Sequence, residues 1–320
     1  MSETPKFDKF DIDKYPNCIS FRKYFVDYEI IRNTQTQLMN GSNQHIYFGK
    51  SFKSGEKVVI KFIKPHYKIA QSLELHKSKI KHSNIADLKD YYLNYVKIPY
   101  DYVGEPQFWL ISVQEFIEGH DLFTELFSNT KQSKSSYQER ELFIKYVSRE
   151  IISIIKDLEE IGLIHSDIKC ENIIYTPETK KITLIDTDYL AEVGNIRICG
   201  TYEYFSWETV QNGLNRARKE DEDKQYKLSG TSDLWAVGVL IYIGIIHRFP
   251  FNVNPSSSLK PNFKNIINLN YYLPDYLSKE LIDFLSKIFV RPSERISLQE
   301  ALNHPWFNLD ISNTNILSKN

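Results

Sequence analysis

The sequence predicts an α+β protein of two lobes, a smaller one built on an antiparallel β-sheet with one main helix and a larger one that is mostly helical. Strand-like runs dominate from Tyr28 to about residue 117. After Gly119 the apolar residues recur at the three-to-four spacing of helices. The longest apolar run, LWAVGVLIYIGII (234–246), is too short to cross a bilayer and reads as a helix buried in the larger lobe.

Taken in order, residues 1–27 are polar and aromatic without a period, an extension ahead of the domain. The domain itself is expected over 28–308, with the small lobe at about 28–117, the large lobe at about 118–308, and a tail over 309–320. YEIIR, HIYFGK and KVVIKFIK alternate as strands do, and the turn SFKSGE joins the last two. A helix is expected near 68–81, then strands at DYYLNYV and FWLISVQEF. ELFIKYVSREIISIIKDLEEIG (141–162) has helical spacing, and its Gly162 suits a helix C-cap. Two polar, charged stretches, 128–140 and 211–230, read as solvated insertions.

Composition narrows the function. A net charge of −1 offers no field that would draw nucleic acid or an anionic membrane, so neither is an expected partner. The N-terminus lacks the apolar core of a secretory signal. Three widely spaced cysteines (Cys18, Cys170, Cys199) form no metal or disulfide pattern, which points to a reducing, cytoplasmic or otherwise intracellular setting.

The stretch HSDIKCENIIYTPETKKITLIDTD (165–188) carries the chemistry. ENIIY and KITLID are strand-like and TPETK is a turn, so the segment reads as a hairpin. A hairpin sets the first residue of one strand beside the last of the other. Asn172 and Asp186 should therefore meet at its open end, with Asp167 and Lys169 just upstream. An amide and a carboxylate oxygen suit Mg²⁺ or Mn²⁺, which completes its shell with water and phosphate. A second carboxylate is placed to accept a hydroxyl proton, and an ammonium to neutralise phosphate charge. That combination serves phosphoryl transfer, whose demands are positioning and charge neutralisation. Taken alone, each acidic residue would read as the polar rim of a turn.

These residues resemble the catalytic loop and metal motif of eukaryotic protein kinases. The pattern H-R-D-L-K-x-x-N appears as His165-Ser166-Asp167-Ile168-Lys169-Cys170-Glu171-Asn172, and D-F-G as Asp186-Thr187-Asp188. Other matches follow in the family's order, from Tyr28 to Phe307. The resemblance implies a two-lobed kinase-like fold, ATP as a ligand and protein hydroxyls as substrate. Lys169 with Thr201 matches the serine/threonine branch.

It also implies roles for particular residues. Lys61, set among apolar strand residues, would meet ATP phosphates and the carboxylate of Glu74. An edge-strand lysine reaching solvent is the plain alternative. Gly41 and Ile46 fall in the glycine-rich loop over the nucleotide. Glu115 and Ile117 would meet adenine through their backbone, and Gln114 guards the pocket behind. Asp121 would bind the ribose, or else cap a helix. His165, Thr201, Glu208, Asp233 and Arg295 would support the site. Asp233 would bind the catalytic loop from a helix N-terminus and Arg295 would pair with Glu208, a plain surface arginine being the alternative.

The departures are specific. Of the glycine-rich pattern only Gly41 remains, Ser166 stands for an arginine, and Thr187-Asp188 stand for Phe-Gly. Asp188 replaces a flexible glycine, where left-handed backbone is expected to be tolerated. Ser166 removes a residue that reads a phosphate on the activation segment, so a constitutively arranged site is expected. These departures leave a second reading, a pseudokinase that binds nucleotide or acts as a scaffold with little transfer. Neither reading fixes the oligomeric state.

Overall fold

The computed structural model describes residues 19–20, 27–30, 37–41, 44–96, 105–128, 136–220, 224–251 and 263–308. The chain divides into two compact units, Met1–Glu118 and Gly119–Asn320, each taken by itself below. The α+β class expected from the sequence is the one found.

The first unit is a seven-stranded sheet with one helix. Its strands are β1 (Ile19–Ser20), β2 (Tyr28–Ile30), β3 (Gln37–Gly41), β4 (Gln44–Ser51), β5 (Lys57–Ile63), β6 (Leu88–Val96) and β7 (Gln107–Glu115). The helix α1 (Tyr67–Lys79) comes between β5 and β6. The path runs β1-β6-β7-β5-β4-β2, with β3 also on β4, and every pairing is antiparallel except β1 with β6. The extension ahead of residue 28 thus contributes a strand, too short for its pattern to show.

Period-two alternation gives the sheet two buried faces. Tyr47, Val58, Ile60, Phe62, Trp109, Ile111 and Val113 cluster on one, and Leu88, Tyr91, Leu93 and Leu110 pack with Ala70 and Leu73 of α1 on the other. Gly49 is required between them, since a Cβ there would stand 2.8 Å from the Glu29 carbonyl and 2.5 Å from Ile60.

The second unit is built on helices α2 (Leu122–Phe127), α3 (Tyr137–Glu160), α4 (Trp207–Ala217), α5 (Gly230–Ile246), α6 (Phe263–Ile267), α7 (Lys279–Ile288) and α8 (Leu298–Leu302). Five short strands join them: β8 (His120–Asp121), β9 (Leu163–Ile164), β10 (Ile173–Thr176), β11 (Lys181–Leu184) and β12 (Ala191–Glu192). The apolar run is α5, buried from Leu234 through Ile245 and packed on α3. Ser229 and Ser232 cap its start reciprocally, and Glu159 of α3 accepts from Gly230 N–H at 2.7 Å. Among the described residues no helix is long and apolar enough to cross a membrane.

Both expected insertions need correction. Helix α3 starts inside 128–140, with Ser136 and Glu139 closing a capping box at its N-terminus. Helix α4 runs into 211–230 as far as Ala217, and its buried Asn212 and Asn215 bind the backbone of Tyr226 and Lys224, so the returning chain is docked.

Candidate active site

Strands β10 and β11 form the expected hairpin, pairing Ile173 with Leu184 through Thr176 with Lys181. At its open end Ile185 N–H donates to the Asn172 carbonyl at 3.0 Å, which sets Asp186 one residue beyond the rung that holds Asn172. Asn172 closes a single 3₁₀ turn, Cys170–Asn172, and is buried.

Asp167 lies at the centre, its side chain 5% exposed. Its Oδ1 accepts from the backbone N–H and the hydroxyl of Thr201, both at 2.9 Å. Its Oδ2 faces Lys169 Nζ at 3.1 Å and accepts from Asn172 Nδ2 at 3.0 Å. Lys169 also donates to the Thr201 hydroxyl at 2.9 Å, closing a ring of three side chains. Asn172 Nδ2 makes a second bond to the Asp167 carbonyl at 2.9 Å, and this orientation turns its Oδ1 away from Asp167. Asp186 Oδ1 accepts from Asp188 N–H at 3.1 Å.

The loop carrying Asp167 is pinned from α5. Asp233 Oδ2 accepts from His165 N–H at 2.7 Å and Oδ1 from Ser166 N–H at 2.8 Å. Complete burial pushes the Asp233 carboxyl up, to about 7, while those two N–H donors pull the other way by favouring the charged form. His165 Nδ1 accepts from Asp167 N–H at 3.3 Å. Ser166 sits at φ 66°, left-handed backbone that a serine rarely adopts. Asp188, where left-handed backbone would be tolerated, is buried and is not among the described residues with positive φ.

Farther along, Arg295 spends its whole guanidinium on buried acceptors. Nη1 and Nη2 meet the Glu208 carboxylate at 2.8 and 2.9 Å, and further bonds reach the carbonyls of Ile288, Val290 and Thr231. Burial alone would raise Glu208, but the Arg295 charge and its hydrogen bonds prevail and hold the carboxyl below its ordinary value. Cys170 is fully buried and its thiol pushed up to about 12, so it is no nucleophile. A cavity of about 30 Å³ beside Asp167, lined by Ser166, Cys199, Thr201, Tyr204 and Asp233 among others, has room for water only.

In the first unit, Lys61 is buried in β5, with Ile46 and Ser112 as its register partners on either side. Ser112 is also paired with Tyr91 of β6, whose hydroxyl donates to Glu74 of α1. Paired residues share a face, so Glu74 comes down on the strip of sheet that carries Lys61. Gln114 is buried one residue before Glu115, whose backbone N–H donates to Asp87 and whose carboxylate accepts from Asp87 N–H. Ile117 follows β7 in irregular backbone. Gly41 ends β3 opposite Gln44 of β4; the two residues between them lie outside the described set.

In the second unit, Asp121 caps α2, both carboxylate oxygens binding Thr124 at 2.9 and 2.7 Å. Sequence reasoning passed over two residues. Gly200, at φ +97°, is needed because a Cβ would lie 2.5 Å from the Ser166 carbonyl and 3.2 Å from Asp167 Oδ1; its place directly before Thr201 was the available signal. Arg197 is 5% exposed and donates to the Leu190 carbonyl at 3.2 Å, which nothing in the local pattern foretold.

A buried carboxylate ringed by a lysine, an asparagine and a threonine, at the mouth of a hairpin that ends in a second carboxylate, is the arrangement that the resemblance to the protein kinase family implies. The chain belongs to that family, since the protein kinase domain model matches residues 33–307. Among its relatives, an Aurora kinase of Encephalitozoon cuniculi is 27% identical over 74% of this chain and 76% of the relative. MAP kinase-activated protein kinase 2 of Oryctolagus cuniculus is 26% identical over 88% of this chain and 72% of that one. The serine/threonine-protein kinase RAD53 of Saccharomyces cerevisiae is 27% identical over 62% of this chain, which spans only 24% of RAD53. The crystal structure of Rad53 residues 1–466 with AMP-PNP superposes with a TM-score of 0.63 over 88% of this chain and 65% of that one. At 23% identity that likeness shows the fold.

Proposed function

We propose that Asp167 receives the proton of a protein serine or threonine hydroxyl while Lys169 steadies the phosphoryl group in transit. The activity is that of an ATP-dependent protein serine/threonine kinase, the class to which the family and its named relatives point. The observation that carries the residue assignment is the Asp167 ring. Thr201 and Asn172 hold the carboxylate in one orientation, and Lys169 sets a positive charge beside it. The hydroxyl oxygen attacks the γ-phosphorus of ATP, the bond to the β-phosphate oxygen breaks, ADP leaves, and the hydroxyl proton passes to Asp167. Lys169 lies beside Asp167 and is 22% exposed, so its charge is within reach of a phosphoryl group brought to that carboxylate.

The oxygen donors fit a magnesium or manganese ion. Asn172 Oδ1 is turned away from Asp167, Asp186 follows on the adjoining strand, and both are hard ligands. Among the described residues no cluster of three His, Cys, Asp or Glu side chains forms a complete cage, as suits an ion that shares its shell with phosphate and water. Such an ion, when bound, neutralises phosphate charge. In the first unit, Lys61 and Glu74 on one strip of sheet support a role in orienting the ATP phosphates, with Gly41 and Ile46 on the strands above and the backbone of Glu115 and Ile117 at the adenine. Among the described residues Cys170 and Cys199 are free thiols, which suits an intracellular setting.

The test is transfer from labelled ATP to a generic basic protein, with Mg²⁺ and with Mn²⁺, beside Asp167→Asn, followed by identification of the phosphorylated amino acid. Label on serine or threonine well above the control is expected. Transfer no greater than the control with either ion, while ATP still raises the melting temperature, would establish the pseudokinase reading instead.

A further inference from the structure

The stretch that joins Asp186 to Thr201 is anchored throughout by contacts native to the chain. Leu190 N–H donates to the Thr187 carbonyl, and Ala191–Glu192 pair with Ile164–Leu163 as a two-stranded ladder. Val193 N–H reaches the Gly162 carbonyl at 2.9 Å, and Gly194 N–H the Leu228 carbonyl at 2.8 Å. Leu228 N–H returns a bond to the Asn195 carbonyl, and Asn195 Oδ1 accepts from Arg197 N–H at 2.9 Å. Arg197 then turns back into the protein. Its guanidinium is buried and Nη1 donates to the Leu190 carbonyl at 3.2 Å, so one side chain ties the returning limb of the segment to its outgoing limb. The outgoing limb carries Asp186; the returning limb ends at Thr201, bonded to Asp167.

Residues 191–199 read AEVGNIRIC, without a single serine, threonine or tyrosine. No hydroxyl there can take a phosphate. Of the flanking hydroxyls, Thr187 is buried and Thr201 is engaged by Asp167 and Lys169, while the exposed Tyr189 and Tyr202 lie outside the stretch that Arg197 closes on Leu190. Ser166, beside Asp167, offers no charge to bind an anion. A buried cation therefore occupies the middle of this segment, and it is bonded to the segment's own backbone at Leu190.

We propose that Arg197 is a positioning residue for phosphoryl transfer: its guanidinium locks residues 186–201 in their working arrangement, so catalytic competence is built into the chain and needs no covalent modification. The inference rests on the kinase reading above. Because the clamp acts on a loop that carries one metal-binding carboxylate and one partner of Asp167, its loss should affect turnover rather than binding. A displacement of about 1 Å at such groups costs up to roughly 100-fold in rate.

The experiment uses the full chain, treated or not with a broad-specificity phosphatase, as wild type, Arg197→Ala and Arg197→Lys. Wild type should keep its rate after phosphatase treatment. Arg197→Ala should lose about 10- to 100-fold in kcat with the KM for ATP little changed. Low, non-denaturing guanidinium should restore part of that loss, and sodium chloride at the same ionic strength should not. Amide exchange over 188–199 should quicken in Arg197→Ala. Arg197→Lys, which keeps the charge but loses the planar fork, should fall between, and it decides the matter together with the phosphatase arm if the alanine variant does not fold.

The proposal is overturned if both variants keep the wild-type kcat, if phosphatase abolishes the wild-type rate, or if the variants merely lower the melting temperature without a guanidinium-specific rescue. Wild type no more active than Asp167→Asn overturns the kinase reading as well. An active wild type with an unaffected Arg197→Ala overturns this one alone.

Discussion

Replacing Arg295 by lysine should be almost as damaging as replacing it by methionine. The side chain is fully buried and uses all five of its N–H donors: two on Glu208, and one each on the carbonyls of Ile288, Val290 and Thr231. It also lies over the Trp235 ring, 5.0 Å from its centre. Lysine brings three donors on a single point, so at least two of the five acceptors lose their partner, and the flat contact with Trp235 goes too. Removing one member of a buried ion pair costs about 3–5 kcal/mol. In a unit of this size that corresponds to a fall in melting temperature of roughly 6–20 °C. Thermal and urea unfolding of wild type, Arg295→Lys and Arg295→Met would measure it, and Glu208→Gln completes a double-mutant cycle that isolates the pair. Loss of less than about 1 kcal/mol in Arg295→Lys would refute the reasoning, because charge alone would then suffice.

Other consequences can be checked beside this one. Glu208 has a folded-state pKa below its ordinary 4.5, so the stability it contributes is complete above about that pH and is lost as pH falls through the lower folded value. Unfolding measured from pH 6 down to 3 should show that acid limb in wild type and a flatter one in Glu208→Gln. Gly200→Ala forces a methyl group against the Ser166 carbonyl at a positive φ and should cost about 1–3 kcal/mol of stability with a fall in kcat. A wild-type kcat in that variant would show that the Ser166–Thr201 spacing is slack. Asp188→Gly should retain or raise kcat, since it removes a negative charge next to the Asp186 carboxylate; a large loss would show that Asp188 has a metal or structural task of its own.

Where the chain follows a simple period, its architecture could be read directly. Strands β2 and β4 to β7, α1 and the 173–184 hairpin fall where alternation and turn residues put them, because burial on a pleated or helical face imposes that spacing. The hairpin in turn brings Asn172 and Asp186 to one end, with Asp167 and Lys169 just upstream, by strand pairing alone. Composition misled where a few residues outweigh their surroundings. Helix α4 hides in a charged stretch because Asn212 and Asn215 make long-range bonds to the backbone, and single polar side chains leave no period. The start of α3 was legible as Ser136-x-x-Glu139 and was masked by the polar run before it. Arg197 was illegible for a different reason: a lone arginine in a loop looks solvated, and only the fold turns it inward.

Ser166 shows why the site tolerates the loss of an arginine from its catalytic loop. What the loop requires at that position is a backbone conformation, with φ at 66° and the N–H aimed at Asp233. Left-handed backbone costs a non-glycine residue about 1–2 kcal/mol, and two charge-assisted bonds to a buried carboxylate offset that cost. The Ser166 carbonyl in turn lies against Gly200, where no side chain is accommodated, and Gly200 delivers Thr201 to Asp167. Orientation of the catalytic carboxylate therefore depends on Asp233, the Ser166 backbone and Gly200, none of which uses the side chain at 166. The charge that arginine would have supplied to the neighbouring segment is found within the segment itself, on Arg197.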